Sequence, residues 1–118
     1  MSESKPETPV GTFAALEIRA GRVERAEPFP EARKPAIKLW IDFGDPVGVL
    51  PSSARLTRRY APEDLVGTRI LAVVNFPPLR IAGFLSRCLV LGVVNPDDPE
   101  DVVLVRPDDR ETVGWELA

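Results

Sequence analysis

The clearest pattern along the chain is a strict alternation of apolar and polar positions in residues 36–43, AIKLWIDF. Four apolar residues occupy every second position: Ile37, Leu39, Ile41 and Phe43. A period of two is typical of a β-strand with one face in the core. Trp40 is out of phase with this series, so the pattern predicts that its ring lies on the outer face of the strand.

Similar stretches predict more strands on both sides of this one. The predicted strands cover residues 18–26, 36–43, 47–50, 69–74, 88–94 and 102–106. Gly21 marks a bend or bulge in the first of them. Residues 27–35 contain three prolines and predict a loop, and the acidic stretch 95–101 predicts a turn.

A single short helix is predicted at residues 61–67, APEDLVG. Pro62 suits the first helical position, the two acids favour the N-terminus, and Gly67 suits the C-terminal stop. Leu65 is its one strongly apolar residue able to plug the end of a barrel. Thr12 is expected to cap a short turn before the first strand.

Five or more strands, with a short helix between the third and the fourth, follow the order of an OB-fold. We therefore expect an all-β, five-stranded OB-fold barrel with short terminal extensions. A small β-sandwich is the alternative. The 118 residues fit one domain, predicted as a disordered leader over residues 1–11 and the folded domain over residues 12–118.

The connector between the two central apolar runs, NFPPLRIAGFLS at residues 75–86, is unusually apolar. Pro77 and Pro78 fix the backbone and favour an extended path, so Asn75 and Phe76 are expected to hold a defined pose. If one or both of Phe76 and Phe84 face outward beside Arg80, they suit stacked bases or apolar peptide side chains. If both are core residues, the connector is merely structural.

The formal charge of −3 is unevenly distributed. Residues 51–94 carry six arginines against two acids, whereas residues 95–118 carry eight acids against two arginines. A net-acidic chain is a poor general nucleic-acid binder, although a local basic face can still grip phosphates. Arg55, Arg58 and Arg59 form either a solvated face or an anion site, and Arg33 and Lys34 extend the same basic rim.

Composition argues against most enzyme chemistry. The chain has no histidine and one cysteine, which excludes the usual zinc sets and histidine-based catalysis. We expect no catalytic residue, metal or cofactor, and we expect Cys88 to be a small buried hydrophobe. No apolar run has the length of a membrane span and the N-terminus lacks a signal-peptide core, so a cytoplasmic protein without membrane insertion is predicted.

Three blocks of sequence closely resemble one known family. FPEARKPAIKLWIDFG, SSARLTRRYAPEDLVG and AVVNFPPLRIAGFLSRCLVLG are similar to blocks of the CsaA-like export chaperones within the tRNA-binding-domain family. The blocks are more distantly similar to the C-terminal domains of bacterial methionyl-tRNA synthetases. Arg55 and Arg87 depart from the family pattern, which commonly has glutamine and an acid at these positions, and both departures add positive charge.

The resemblance implies an OB-fold homodimer that binds unfolded or preprotein segments in protein export. It further implies that the protein works with a SecA-type component and retains affinity for tRNA. The binding residues that it implies are Arg33, Lys34, Pro35, Ser52, Ser53, Asn75, Phe76, Pro77, Arg80, Gly83, Phe84 and Ser86. The alternative function is a tRNA-binding module. The net negative charge favours peptide, and the basic stretch 51–94 favours RNA.

Overall fold

The computed structural model describes residues 4–118 and contains mostly short strands. In chain order the elements are α1 (Val10–Ala14), β1 (Ile18–Pro28), β2 (Ile37–Asp42), β3 (Val49–Ala54), α2 (Pro62–Leu65), β4 (Arg69–Val73), β5 (Leu79–Ile81), β6 (Phe84–Ser86), β7 (Leu89–Val90), β8 (Gly92–Asn95), β9 (Asp98–Leu104) and a 3-10 turn (Arg110–Thr112). None of these helices is long enough to cross a bilayer.

Five antiparallel strands form a nearly closed barrel in the order β3-β2-β1-β4-β7. The single helix between its third and fourth strands is α2, so the predicted OB-fold barrel is confirmed and the β-sandwich is not found. The alternation in β2 is confirmed as well. The three apolar residues at alternate positions of β2 and Phe43, which follows the strand, are buried. Lys38, Trp40 and Asp42 lie on the other face.

The core has two parts because β1 and β4 each bury side chains on both faces. The inner cluster includes Val23, the apolar face of β2, Ile70 and Leu65, which is fully buried as predicted. The outer cluster covers the other face of β1 and β4 and consists of Ile18, Ala20, Leu71 and Val73, with Leu16, Leu91 and Val105 packed against them. The second cluster explains why the segment after β9 folds back over the barrel.

Gly21 is not the site of the bulge in β1, contrary to the sequence prediction. The register with β2 shifts between Val23 and Arg25 instead. Gly21 is required for close packing, because a Cβ atom built there would lie 2.6 Å from Ile41 Cγ2 and 2.8 Å from the Phe43 ring. Sequence alone cannot separate these two reasons for a glycine within a strand.

The N-terminal and acidic segments also differ from their predictions. Thr12 lies inside α1, whose N-cap is Pro9, and its hydroxyl pairs with that of Thr8 at 2.8 Å. Residues 4–9 have no helix or strand; residues 1–3 of the predicted leader lie outside the described residues. The predicted turn at 95–101 is mostly strand, because β8 and β9 pair as a hairpin whose turn is Pro96 and Asp97.

The connector is a hairpin and not an open loop. β5 and β6 pair through a tight turn at Ala82 and Gly83, which have φ values of 46° and 81°. Positive φ at both central residues is the geometry of a type I′ turn, whose twist matches that of the flanking strands.

The C-terminal segment adds backbone bonds to the first half of β1. Gly114 N–H donates to Ala20 O at 2.8 Å, Ala20 N–H donates to Trp115 O at 3.0 Å, and Leu117 N–H donates to Ile18 O at 2.7 Å. β2 pairs with β1 only from Arg22 to Pro28, so it leaves backbone groups at the start of β1 without strand partners. The bonds to the C-terminal segment satisfy those groups at Ile18 and Ala20.

Candidate functional site

The barrel closes poorly between β3 and β7, and hydrogen bonds between β3 and residues 86–88, just before β7, hold this seam together. Arg87 N–H donates to Pro51 O at 2.8 Å, the Ser52 hydroxyl donates to Cys88 O at 2.8 Å, and Ser53 N–H donates to Ser86 Oγ at 3.3 Å. Ser52 is 0 % exposed and Ser86 is 9 % exposed. Both hydroxyls are therefore occupied in joining the two edges of the barrel.

Beside these bonds the seam opens into a continuous groove of three connected pockets, which we call the seam groove. The central pocket has a volume of about 400 Å³ and the proline pocket, beside Pro77 and Pro78, about 400 Å³. Ser53, Ile81 and Leu89 line both. The hairpin pocket, beside β8–β9, has about 550 Å³ and shares Lys34, Arg55 and Val102 with the central pocket.

Aliphatic side chains make up most of the central pocket. Its apolar lining comes from β3, β5, β7, β9 and the segments next to them, and from the loop before β2: Ala32, Ala36, Ala54, Leu56, Ile81, Leu89, Val90, Leu91 and Val102. Leu89 is 50 % exposed, so it presents apolar area directly to the groove. Arg33, Lys34 and Arg55 are the charged residues of this lining.

The proline pocket contributes the one aromatic ring that lines the seam groove. Phe76 is 43 % exposed and stands beside Pro77, Pro78 and Leu79. Arg87 lies on the same pocket and is exposed. Both prolines restrict the backbone, so this end combines a rigid apolar wall with an exposed cation.

The basic residues of this region fall into two groups. Arg58 bonds Asp98 at 3.0 Å and Glu100 at 3.2 Å, and Arg59 makes two 2.9 Å bonds to Asp101. Arg59 and Asn95 together hold the pKa of Asp101 below its ordinary value. Within residues 4–118 no ion pair is made by Arg33, Lys34, Arg55 or Arg87, all of which line the seam groove.

The remaining aromatic rings near the connector pack against one another. Phe84 meets Phe29 edge-on with ring centres 5.5 Å apart, and it meets Trp40 at 5.8 Å. Arg25 stacks on Trp40 at 3.8 Å, and the Lys38 ammonium lies 4.7 Å from the Phe29 ring centre. These contacts fix hairpin β5–β6 on the outer face of β2, where the sequence had placed Trp40.

Comparison with known proteins identifies the family. A family model described as "Putative tRNA binding domain" matches residues 18–116. The chain belongs to this family. Two solved structures are similar over nearly the whole chain: the chaperone CsaA from Bacillus anthracis, at 50 % identity, and the CsaA chaperone from Picrophilus torridus, at 40 % identity.

The two alignments cover 96 % and 95 % of this chain and 100 % of each neighbour, with TM-scores of 0.89 and 0.86. Curated relatives include the methionine–tRNA ligases of Methanothrix thermoacetophila and Clostridium acetobutylicum, which are 33 % and 30 % identical over 112 residues. Those matches cover 95 % of this chain, but the chain spans only 16 % and 17 % of the ligases. The resemblance to CsaA-like chaperones of the tRNA-binding domain family is thereby confirmed.

Seven of the residues carried over from the family resemblance meet at the seam groove: Arg33, Lys34, Pro35, Ser53, Phe76, Pro77 and Ser86. The other five lie outside its lining. Ser52 is buried, Phe84 belongs to the aromatic cluster, and Gly83 forms the turn of the connector hairpin. The predicted third strand ended at residue 50, before Ser52 and Ser53. The structure corrects this, because both serines lie within β3.

Asn75 and Arg80 make contacts that support the backbone. Asn75 Oδ1 accepts from Glu17 N–H at 2.8 Å, and its Nδ2 donates to Ala15 O at 3.0 Å, which ties the end of α1 to the end of β4. Arg80 is exposed and donates to Gly83 O at 3.2 Å, across its own hairpin.

Sequence reasoning missed the aliphatic part of the groove, including Ile81, Leu89 and Val102. The sequence showed that these residues are apolar, but it did not show that they face a groove. Leu89 and Val102 lie in apolar runs in which every side chain looked like core, and only the barrel topology shows which of them face the seam. Arg55 and Arg87 had been noted as additions of charge, and the structure places both on the groove.

Proposed function

We propose that this protein is a polypeptide-binding chaperone that holds unfolded or preprotein segments in the seam groove. The observation that carries this proposal is the central pocket, an open groove walled by aliphatic side chains and rimmed by cations that form no ion pair within residues 4–118. An unfolded segment has apolar side chains to bury and no partner for them. Burial of apolar area is the main source of affinity for such a ligand.

The form of the groove supports an extended ligand. The groove extends through three adjoining pockets and passes β5 and β7. Each of these strands pairs with only one neighbour in its sheet, so each has one edge that is not paired within the sheet. Extended peptides commonly place alternate side chains in pockets beside a strand edge. The likeness to two CsaA chaperones over the full length of both neighbours supports the same class of function.

The proposal includes a homodimer that works in the cytoplasm with a SecA-type export component. Exposed apolar residues outside the lining of the seam groove support a protein–protein contact surface: Val93 on β8, its strand partner Val103 on β9, and Trp115 and Leu117 in the C-terminal segment. Clusters of exposed apolar side chains usually mark sites of association. The partner in export rests on the family resemblance alone.

A second candidate function is binding of tRNA. It is supported by family membership and by the four groove cations Arg33, Lys34, Arg55 and Arg87. Cations without protein partners are available to phosphates, and each contact that they make adds to the salt dependence of binding.

Competition between a labelled, permanently unfolded polypeptide and bulk tRNA, followed by fluorescence anisotropy over a salt series, separates the two functions. Polypeptide should bind with weak salt dependence, and tRNA should displace it only at low salt. Leu89→Gln should weaken polypeptide about five- to tenfold, because the exposed half of Leu89 no longer offers apolar area.

The matched control is Val49→Gln, since Val49 is also a strand residue and 50 % exposed but does not line the groove. This control should bind like the parent. Tight tRNA binding at physiological salt without any polypeptide binding would overturn the chaperone proposal and favour the tRNA module.

A further inference from the structure

The lining of the seam groove has an excess of positive charge, which a site for polypeptides in general does not require. Among residues 4–118 its lining contains four cations, Arg33, Lys34, Arg55 and Arg87, and one carboxylate, Glu100. Glu100 already bonds Arg58 at 3.2 Å. The groove therefore presents positive charge, although the protein as a whole has a formal charge of −3.

The β8–β9 hairpin maintains this local charge. Its acids Asp98, Glu100 and Asp101 are bonded to Arg58 and Arg59 on the turn after β3. Since those acids are engaged there, they are not the partners of the groove cations. Exposed ion pairs contribute little to stability individually, but their geometry here determines which cations remain available to a ligand.

The side chains between these cations are aliphatic. Arg55 and Lys34 stand at the junction of the central and hairpin pockets, and Arg87 stands beyond Leu89 on the proline pocket. A ligand that follows the groove passes positive charge, then apolar walls, then positive charge again.

The groove offers few ring faces for nucleic-acid bases. Phe76 is its one lining aromatic residue, and the rings of Phe29, Trp40 and Phe84 are engaged with each other and with Arg25 and Lys38. Sequence-tolerant binding of single strands relies on successive bases stacked on aromatic side chains. Apolar walls between cations fit an acidic polypeptide better than an RNA strand.

From this arrangement we infer that the seam groove selects extended segments in which Asp or Glu residues flank aliphatic side chains. The inference rests on the proposed function and names the class of segment that the same groove prefers. Arg55, at the junction of two pockets, is the main residue that determines this preference, and Lys34 and Arg87 assist it.

Three labelled peptides of equal length test this specificity. They share their aliphatic residues and carry Asp and Glu, Gln, or Lys at the flanking positions. In anisotropy titrations of the intact protein at low salt, the acidic peptide should bind about five- to tenfold more tightly than the Gln peptide, and the Lys peptide should bind most weakly. The net charge of the protein alone would give the opposite order.

Single substitutions then identify the residues that produce the preference for the acidic peptide. Arg55→Ala should remove most of the advantage of the acidic peptide over the Gln peptide and leave the Gln peptide nearly unchanged. Arg87→Ala should reduce it by a smaller factor. Arg106→Ala is the control, because Arg106 is an exposed arginine outside the groove lining.

The possible outcomes separate the inference from the function on which it rests. Equal affinity for the three peptides, or preference for the Lys peptide, overturns the inference and leaves the chaperone proposal standing. Failure of all three peptides and of a longer unfolded polypeptide overturns both. Displacement of the acidic peptide by tRNA at physiological salt, with tRNA binding more tightly, assigns the groove cations to phosphates and overturns the inference.

Discussion

Cys88 and Ser52 show how single residues hold the seam of the barrel. The Ser52 hydroxyl donates to the carbonyl of Cys88, and the Cys88 thiol lies 3.9 Å from the carbonyl of Pro51. The sequence correctly predicted Cys88 as a buried hydrophobe. The sequence did not show that Ser52 is buried. A serine in a half-polar strand is equally compatible with a buried hydrogen bond and with a contact to a ligand.

Cys88 predicts a loss of stability at alkaline pH. Burial raises the pKa of its thiol from 9.0 to about 11. Above pH 9 the unfolded chain loses this proton while the folded chain keeps it, so the free energy of unfolding should fall as pH rises from about 9 to about 11. The loss should be on the order of 2 kcal/mol.

Denaturant midpoints of the parent and of Cys88→Ala, compared at pH 8 and pH 10.5, measure this contribution. The parent should lose more stability over that interval than the variant. Parallel losses would show that the thiol does not titrate differently in the two states.

Gly21→Ala tests the close packing of β1 on β2. The added methyl group would meet Ile41 and Phe43 at 2.8 Å or less, and these side chains are fully buried, so the substitution should cost about 1–3 kcal/mol. Gly11→Ala is the control, because its methyl group meets nothing within 4 Å. Equal urea midpoints for Gly21→Ala and the parent would refute this role.

At the scale of elements, the prediction succeeded where local chemistry decides the structure. Pro62, the acids after it and Gly67 marked α2, and the alternation marked β2. It failed at the acidic stretch 95–101, where Asp98, Glu100 and Asp101 lie in a strand that pairs with β8, and their side chains bond Arg58 and Arg59 on a distant turn. Local propensity favours a turn there, and long-range ion pairs are not visible in sequence.

Leu65→Ala measures how far α2 supports the barrel. Leu65 is fully buried in the inner core, so truncation should cost about 2–4 kcal/mol through lost burial and the cavity that remains. Chemical denaturation gives the value. Val66→Ala, at an exposed neighbouring position, should change stability by much less. Similar costs for both variants would mean that α2 contributes through its backbone alone.

At the scale of the whole molecule, strand number and the position of the helix predicted the barrel. The connector residues named from the sequence, Phe76 and Pro77, line the proline pocket, but the aliphatic centre of the groove was not predicted. Lys34, Ser53, Ile81, Leu89 and Val102 come from five separate segments, and only the near-closure of β3 on β7 brings them together. The sequence highlighted the connector instead, because its prolines and aromatic residues are conspicuous. Gly83 and Phe84 encode the hairpin turn and its aromatic anchor, whereas Phe76, Pro77 and Pro78 line the proline pocket.

Trp115 tests the proposed homodimer without removing the C-terminal segment. Its side chain is 66 % exposed, whereas its carbonyl bonds Ala20 in β1. Trp115→Ser should therefore leave the fold intact and weaken the dimer, since a large apolar ring is lost from the contact surface. Light scattering over a concentration series gives the dissociation constant. A monomeric parent at micromolar concentration would contradict the dimer proposal.

The most direct test of the central claim is to map bound unfolded polypeptide on the protein by backbone amide chemical shifts. The account predicts that the largest changes fall on the walls of the seam groove, at Ser53, Ala54, Ile81, Leu89 and Val90. Leu89→Gln should reduce these changes at equal ligand concentration, and Val49→Gln should not. Changes confined to Val93, Val103 and the C-terminal segment, which lie outside the groove lining, with the groove amides unmoved, would contradict it.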